Sequence, residues 1–178
     1  ALSGTFTTTR IDAGARVYLV SGDCNNMTIS GGVVLIGESF TVAKDSSEKV
    51  LVLGGEVTIN ANANAIVELE QQGGTVKTFR SVTTLGAKGG FTYTLNAAAV
   101  TAATVEGGAT YYLLSSGTVT TMNLRRGTLT NVGTPFGATI TTLNHYQTTG
   151  VKNLDMGQVT VGTENPIGAP GGSTGFGA

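Results

Sequence analysis

The chain has 178 residues with a formal net charge of −1, only 12% charged and 6% aromatic residues, and no Trp. Gly (27) and Thr (30) together make up about a third of it. Those numbers exclude wholesale disorder, a polyanion-binding charge excess, a run of roughly 20 apolar residues able to span a bilayer as a helix, and a disulfide framework, since Cys24 stands alone.

In chain order, short apolar or alternating runs bounded by Gly, Asn or Ser read as strands. They are 16–20, 33–36, 50–53, 57–59, 66–69, 76–79, 91–95, 111–114, 119–124, 129–132, 140–143 and 159–161. Val and Thr dominate them, and branching at Cβ favours the pleated sheet over the helix. The Ala-rich patch 97–103 is the one helix candidate, and it reads equally well as a strand. From Gly162 onward the chain holds six glycines and two of its three prolines, so no strand or helix is expected there.

A phrase recurs along the chain, a Gly followed by alternating β-branched and polar residues. It starts at Gly54-Gly55, Gly73-Gly74, Gly117, Gly127, Gly137 and Gly157. The last four lie ten or twenty apart and the first two pairs nineteen apart. A period near twenty, divided into shorter strand-turn units, predicts an all-β parallel β-helix or solenoid of about 20 residues per turn. A Thr-rich β-sandwich or jelly roll is the alternative. The repeat divides the chain into an N-terminal β cap or small β subdomain (1–50), a coil region (51–161) and a Gly/Pro-rich C-terminal arm (162–178). The arm is expected to lie on a neighbouring subunit or partner.

The phrases G-T-V-T-T at 117, G-T-L-T-N at 127 and A-T-I-T-T-L-N-H-Y at 138–146 resemble the coils of bacteriophage virion β-helix proteins, of the head-decoration, head-fibre or tail-spike shaft type. The resemblance implies a homotrimer in the virion, assembled in the host cytoplasm, that contacts the major capsid or other virion proteins and performs no catalysis. Pectate-lyase-like folds and bacterial adhesins share this phrasing. A receptor- or glycan-binding or glycan-degrading spike domain and a surface adhesin therefore stand as alternative functions.

Chemistry-bearing residues are few. His145 is the only histidine, so a His-based metal cluster is not expected, and a Ser-His-Asp site would need Asp12, Asp23, Asp45 or Asp155 beside it. Glu68 and Glu70, two apart on a strand, share a face and are the nearest approach to a glycosidase carboxylate pair. A solvated face is the simpler reading. Gly86 to Gly90 lacks the order of a phosphate-binding loop and reads as a strand connection. Asp23, Asn25 and Asn26 offer oxygen atoms without the spacing of a calcium loop, and Cys24 reads as a buried apolar residue. No catalytic, cofactor or metal residue is assigned. Candidate partner contacts are Arg125, Arg126, Pro166, Pro170 and Phe176, with no nucleic-acid or membrane partner and a glycan left open.

Overall fold

A computed structural model describes residues 2–62, 64–131, 137–146, 149–154 and 158–168. Sixteen strands and no helix are found among them. They are β1 (Leu2–Ile11), β2 (Arg16–Ile29), β3 (Val33–Val42), β4 (Val50–Val52), β5 (Glu56–Ile59), β6 (Ile66–Gln71), β7 (Thr75–Thr78) and β8 (Val82–Ala87). They continue as β9 (Phe91–Asn96), β10 (Val100–Val105), β11 (Thr110–Ser115), β12 (Thr118–Leu124), β13 (Thr128–Thr130), β14 (Ala138–Tyr146), β15 (Val151–Asn153) and β16 (Val159–Ile167).

All pairings are parallel, and from β3 onward odd strands pair with odd, even with even. The long strand β2 joins the two series, with β3 on its first half and β4 on its second. The result is a β-solenoid of about 8 turns and roughly 19 residues per turn. The offset between equivalent residues runs from 16 (Thr75↔Phe91) to 23 (Val33↔Glu56). The spacings of ten in the sequence are half-turns. Gly117 and Gly137 precede β12 and β14 in the even series, whereas Gly127 precedes β13 in the odd one.

The even strands show why this coil forms. From β6 onward they share one frame, seen in Ile66–Gln71, Val82–Ala87, Val100–Val105, Val119–Leu124 and Ile140–His145. The second, fifth and seventh positions of the frame (counting the residue before each of these runs as the first) are buried and stack as columns. One column is Met27, Val50, Leu69, Leu85, Ala103, Met122 and Leu143. The third and fourth positions both face out, and the bridges skip the third. Such a double outward step breaks strict alternation and bends the strand around the core. It recurs in every one of these turns.

The odd series turns on glycine. Gly32, Gly55, Gly74 and Gly90 have φ near +80° (80, 84, 72 and 75°). Each carbonyl of this column accepts the amide that opens the strand one turn later, as Thr75 N to Gly55 O at 2.8 Å and Phe91 N to Gly74 O at 2.9 Å. A Cβ on Gly74 would stand 2.3 Å from the Gly55 oxygen, so both backbone conformation and stacking exclude a side chain there.

The interior is apolar with a few satisfied polar groups. Gln71 donates to the carbonyls of Gly74 (2.9 Å) and Phe91 (3.1 Å) and accepts from Thr92, and Thr94 Oγ1 meets Tyr111 Oη at 3.0 Å. Arg80, 1% exposed, clips three turns together. Its Nε donates to Asn60 O (3.2 Å), Nη1 to Phe40 O (2.9 Å) and Nη2 to Gly37 O (3.2 Å). Burial lowers its pKa to about 10.

One open alternative is decided and one expectation changes. The Ala-rich patch is no helix, because Val100, Ala103 and Val105 occupy inward columns and residues 97–99 form the preceding corner. The glycine-rich end does build a strand as far as Ile167, because β14 supplies a template for β16 down to the pairs His145↔Pro166 and Tyr146↔Ile167. Pro166 is tolerated there since β16 has no second neighbouring strand among the described residues. Residues 1–50 contribute β1 to β3 as the first turns of the same coil, continuous in register with the turns stacked on them.

Candidate functional site

Two places gather polar chemistry. The first is an open groove of about 290 Å³ across the even strands β6, β8 and β10. It opens where Gly86, without a side chain, interrupts an outward column that reads Glu70, Gly86, Thr104 and Asn123. Glu68 and Glu70 both line it, as their spacing on β6 predicts, with Lys88, Glu106 and Arg125 on the walls.

Two of its carboxylates, Glu70 and Glu106, face cations. Glu70 Oε1 accepts from Gln72 Nε2 (2.7 Å) and Lys88 Nζ (3.1 Å), and Lys49 Nζ lies 3.9 Å from Oε2. The Gln72 hydrogen bond first, and then Lys88, hold the Glu70 carboxyl below the usual range, while Glu70 in turn pushes the Lys88 ammonium up. Arg125 Nη1 sits 3.9 Å from Glu106 Oε2, and its guanidinium lies over the Tyr146 ring at 5.5 Å. A carboxylate held ionised is a poor proton donor, so Glu70 is mismatched to the acid role that a glycosidase pair requires.

The second place closes the C-terminal end of the coil. Glu164 falls in the core column after Leu143. It bonds Lys152 Nζ through both oxygens (2.7 and 2.6 Å) and faces His145 Nδ1 at 3.3 Å. His145 Nε2 meets the Gly150 carbonyl at 2.9 Å. Lys152 is the first cause that keeps the Glu164 carboxyl below its ordinary value, with His145 adding to it. No Ser-His-Asp arrangement forms around His145 among the described residues. Asp12, Asp23 and Asp45 belong to the first turns, several rungs away at ~4.8 Å per rung, and Asp155 lies outside the described residues.

The candidate contacts scatter. Arg125 and Arg126 are exposed at the corner between β12 and β13, and Pro166 is exposed on β16. Pro170 and Phe176 lie outside the described residues. Gly86 to Gly90 is a strand end and a corner, and Cys24 is buried with its thiol 3.3 Å from Thr9 Oγ1. Among the described residues no group of three or more His, Cys, Asp or Glu is placed to hold a metal ion.

Two outward ladders escaped the reading of the sequence. Tyr93 and Tyr112 stack on the odd series with centroids 4.4 Å apart and planes 6° from parallel, and Phe91 adjoins Tyr112 at 6.5 Å. Asn123, Asn144 and Asn165 join side chain to side chain at 2.8 and 2.9 Å. The signal was present as a 19-residue Tyr spacing and a 21-residue Thr-x-x-Thr-x-Asn repeat at 118, 139 and 160. No family model, curated protein or solved structure matches the chain.

Proposed function

We propose that this chain is a structural component of a bacteriophage particle, decorating or reinforcing the shell or forming a short spike, and acting by subunit contact without turnover. The observation that supports the structural role is the filled coil itself. Its inward columns are predominantly apolar, its outward columns form ladders of Thr and Asn, and its groove is open, with Glu70 and Glu106 each facing a cation. Such a body offers rigid, repetitive surface rather than a secluded reaction chamber. The particle assignment rests on the resemblance of the 117–162 phrases, which occupy stacked turns around β12, β14 and β16. A homotrimer whose chains pack side by side or intertwine is what that resemblance implies.

Light scattering after size-exclusion chromatography, repeated on unheated samples in SDS, tests the reading. A detergent-resistant assembly of 18.0 kDa chains is expected, and a monomer at every concentration refutes subunit contact as the mode of action. A second reading, glycan binding, draws support from the outward strip of Phe91, Tyr93 and Tyr112. Calorimetric titration with capsular oligosaccharides, compared with Tyr93→Ala and Tyr112→Ala, separates the two readings.

A further inference from the structure

The outward face of the odd series is unlike that of the even one. Its strands keep strict alternation, as in β5, β7 and β11, so the face stays flat where the even strands bend. Of the six exposed large apolar side chains among the described residues, Tyr18, Val33, Phe91 and Val151 stand in its two outward columns. By contrast β8, β10 and β12 turn only Thr, Ala, Asn and Gly outward. Eight strands carry the odd face, from the first half of β2 to β15. At ~4.8 Å per strand and ~3.3 Å per residue it measures roughly 38 Å by 15 Å, or about 600 Å² on each of two partners. Two such faces exceed the ~1,000 Å² that a specific interface clears.

Bulk is unevenly placed along this face. Tyr18, Val33 and Leu35 fill β2 and β3, and Phe91, Tyr93 and Tyr112 fill β9 and β11. Between these blocks β5 and β7 carry Glu56, Thr58, Thr75 and Lys77, and beyond the second block comes Thr128 on β13. Glu56 and Lys77 pair with each other at 3.0 Å. Tyr93 and Tyr112 stack on each other, which turns their edges and phenol oxygens outward.

We infer that this face packs on the same face of a second copy, the two coils antiparallel about a two-fold axis that runs along the strands between β7 and β9. That axis sets β9 against β7, β11 against β5 and β13 against β3 of the second copy. Phe91 then meets Thr75, Tyr112 meets Thr58 and Val33 meets Thr128, so each large side chain enters a low place, as close packing requires. The Lys77 ammonium comes opposite the phenol oxygen of Tyr93, a donor to an acceptor. An axis along the coil, twofold or threefold, would instead set each strand against its own copy. Phe91 and Tyr93 would then meet at one height and hold the faces apart over the Thr58 gap. The spacing of bulk and gap within one chain thus matches its own reversed copy, and the contact is isologous. The inference rests on the reading that the chain acts by subunit contact and names that contact, twofold where the resemblance implies threefold.

The test combines native mass with cross-linking, folding being checked by circular dichroism. The wild type is expected to hold two chains. Phe91→Lys is expected to halve that mass, and Thr120→Lys on the even face to leave it unchanged. Val33→Cys/Thr128→Cys is expected to give covalent dimers with a short thiol cross-linker, and either single variant none. Within one chain the two positions are five strands apart, ~24 Å, beyond its reach. Cross-linking of a single variant places equal heights together and overturns the antiparallel pairing. So does a dimer whose mass Phe91→Lys leaves unchanged, or a double variant that does not cross-link. A trimer overturns the pairing while leaving subunit contact in place, whereas a monomer at every concentration removes both. A monomer that binds capsular oligosaccharide, and loses it in Phe91→Lys, gives the strip to a sugar. If Phe91→Lys fails to fold, the cross-linking pattern decides alone.

Discussion

Replacing Arg80 by Met probes the most unusual group in the core. The guanidinium is 1% exposed and meets the carbonyls of Gly37, Phe40 and Asn60, with no carboxylate paired to it among the described residues. Its pKa, lowered to about 10 by burial, corresponds to an opposing cost of roughly 3 kcal/mol for keeping the cation in place. Methionine removes that cost but strands three carbonyls, each worth about 1–3 kcal/mol when buried without a donor. Taking the middle of that range gives about 6 kcal/mol lost against about 3 recovered, a net destabilisation of about 3 kcal/mol. For a chain of this size that is a fall of about 6–12 °C in Tm. Thermal unfolding followed by circular dichroism measures it, with Arg126→Met on the exposed corner as the control. A Tm for Arg80→Met equal to or above the wild type refutes the claim that the three carbonyls depend on this side chain.

Gly74→Ala and Gly108→Ala both place a side chain at positive φ, but only the first drives Cβ onto a neighbouring carbonyl, Gly55 O. Urea titration is expected to show a loss of about 1 kcal/mol for Gly108→Ala and well above that for Gly74→Ala. Tyr111→Phe removes the phenolic oxygen that the Thr94 hydroxyl meets inside the coil and is expected to cost about 1 kcal/mol in the same assay. The folded Glu164 carboxyl titrates below its unfolded value, so its contribution is present above the ordinary carboxylate range and disappears as pH falls through the folded pKa. Melting curves from neutral to acid pH are expected to show a shallower acid loss for Glu164→Gln, and identical slopes in the two proteins contradict the assignment.

The coil was legible in the sequence because glycine marks its corners, and Gly54-Gly55, Gly73-Gly74 and Gly127 do lie on the odd-series turns. The features that stayed hidden did so for physical reasons. In β8, Val82, Leu85 and Ala87 are spaced three and then two, so a template of strict alternation passes over them. β1 has only Leu2, Phe6 and Ile11 as large apolar residues, set among Ser, Gly, Thr and Arg, so no apolar run marks it. Around Arg80 no local pattern signals burial, since its three acceptors are 20, 40 and 43 residues away. The carboxylates of the groove could be placed on one face from their spacing. The pairing of Glu70 with Lys88 and Lys49 depends on which turn stacks on which, and a register that varies from 16 to 23 residues hides that from the sequence.

That variable register has a consequence for how such a molecule changes size. A turn can take seven extra residues at a corner while its neighbours keep their columns, so small insertions are absorbed sideways as bulges on the surface. Insertion of a whole unit, such as 21 residues framed like 139–159, adds one more step of ~4.8 Å along the axis and repeats the contacts of the turn below it. The length of the body is thus a matter of counting, and it can be lengthened or shortened in whole steps without redesigning its interior.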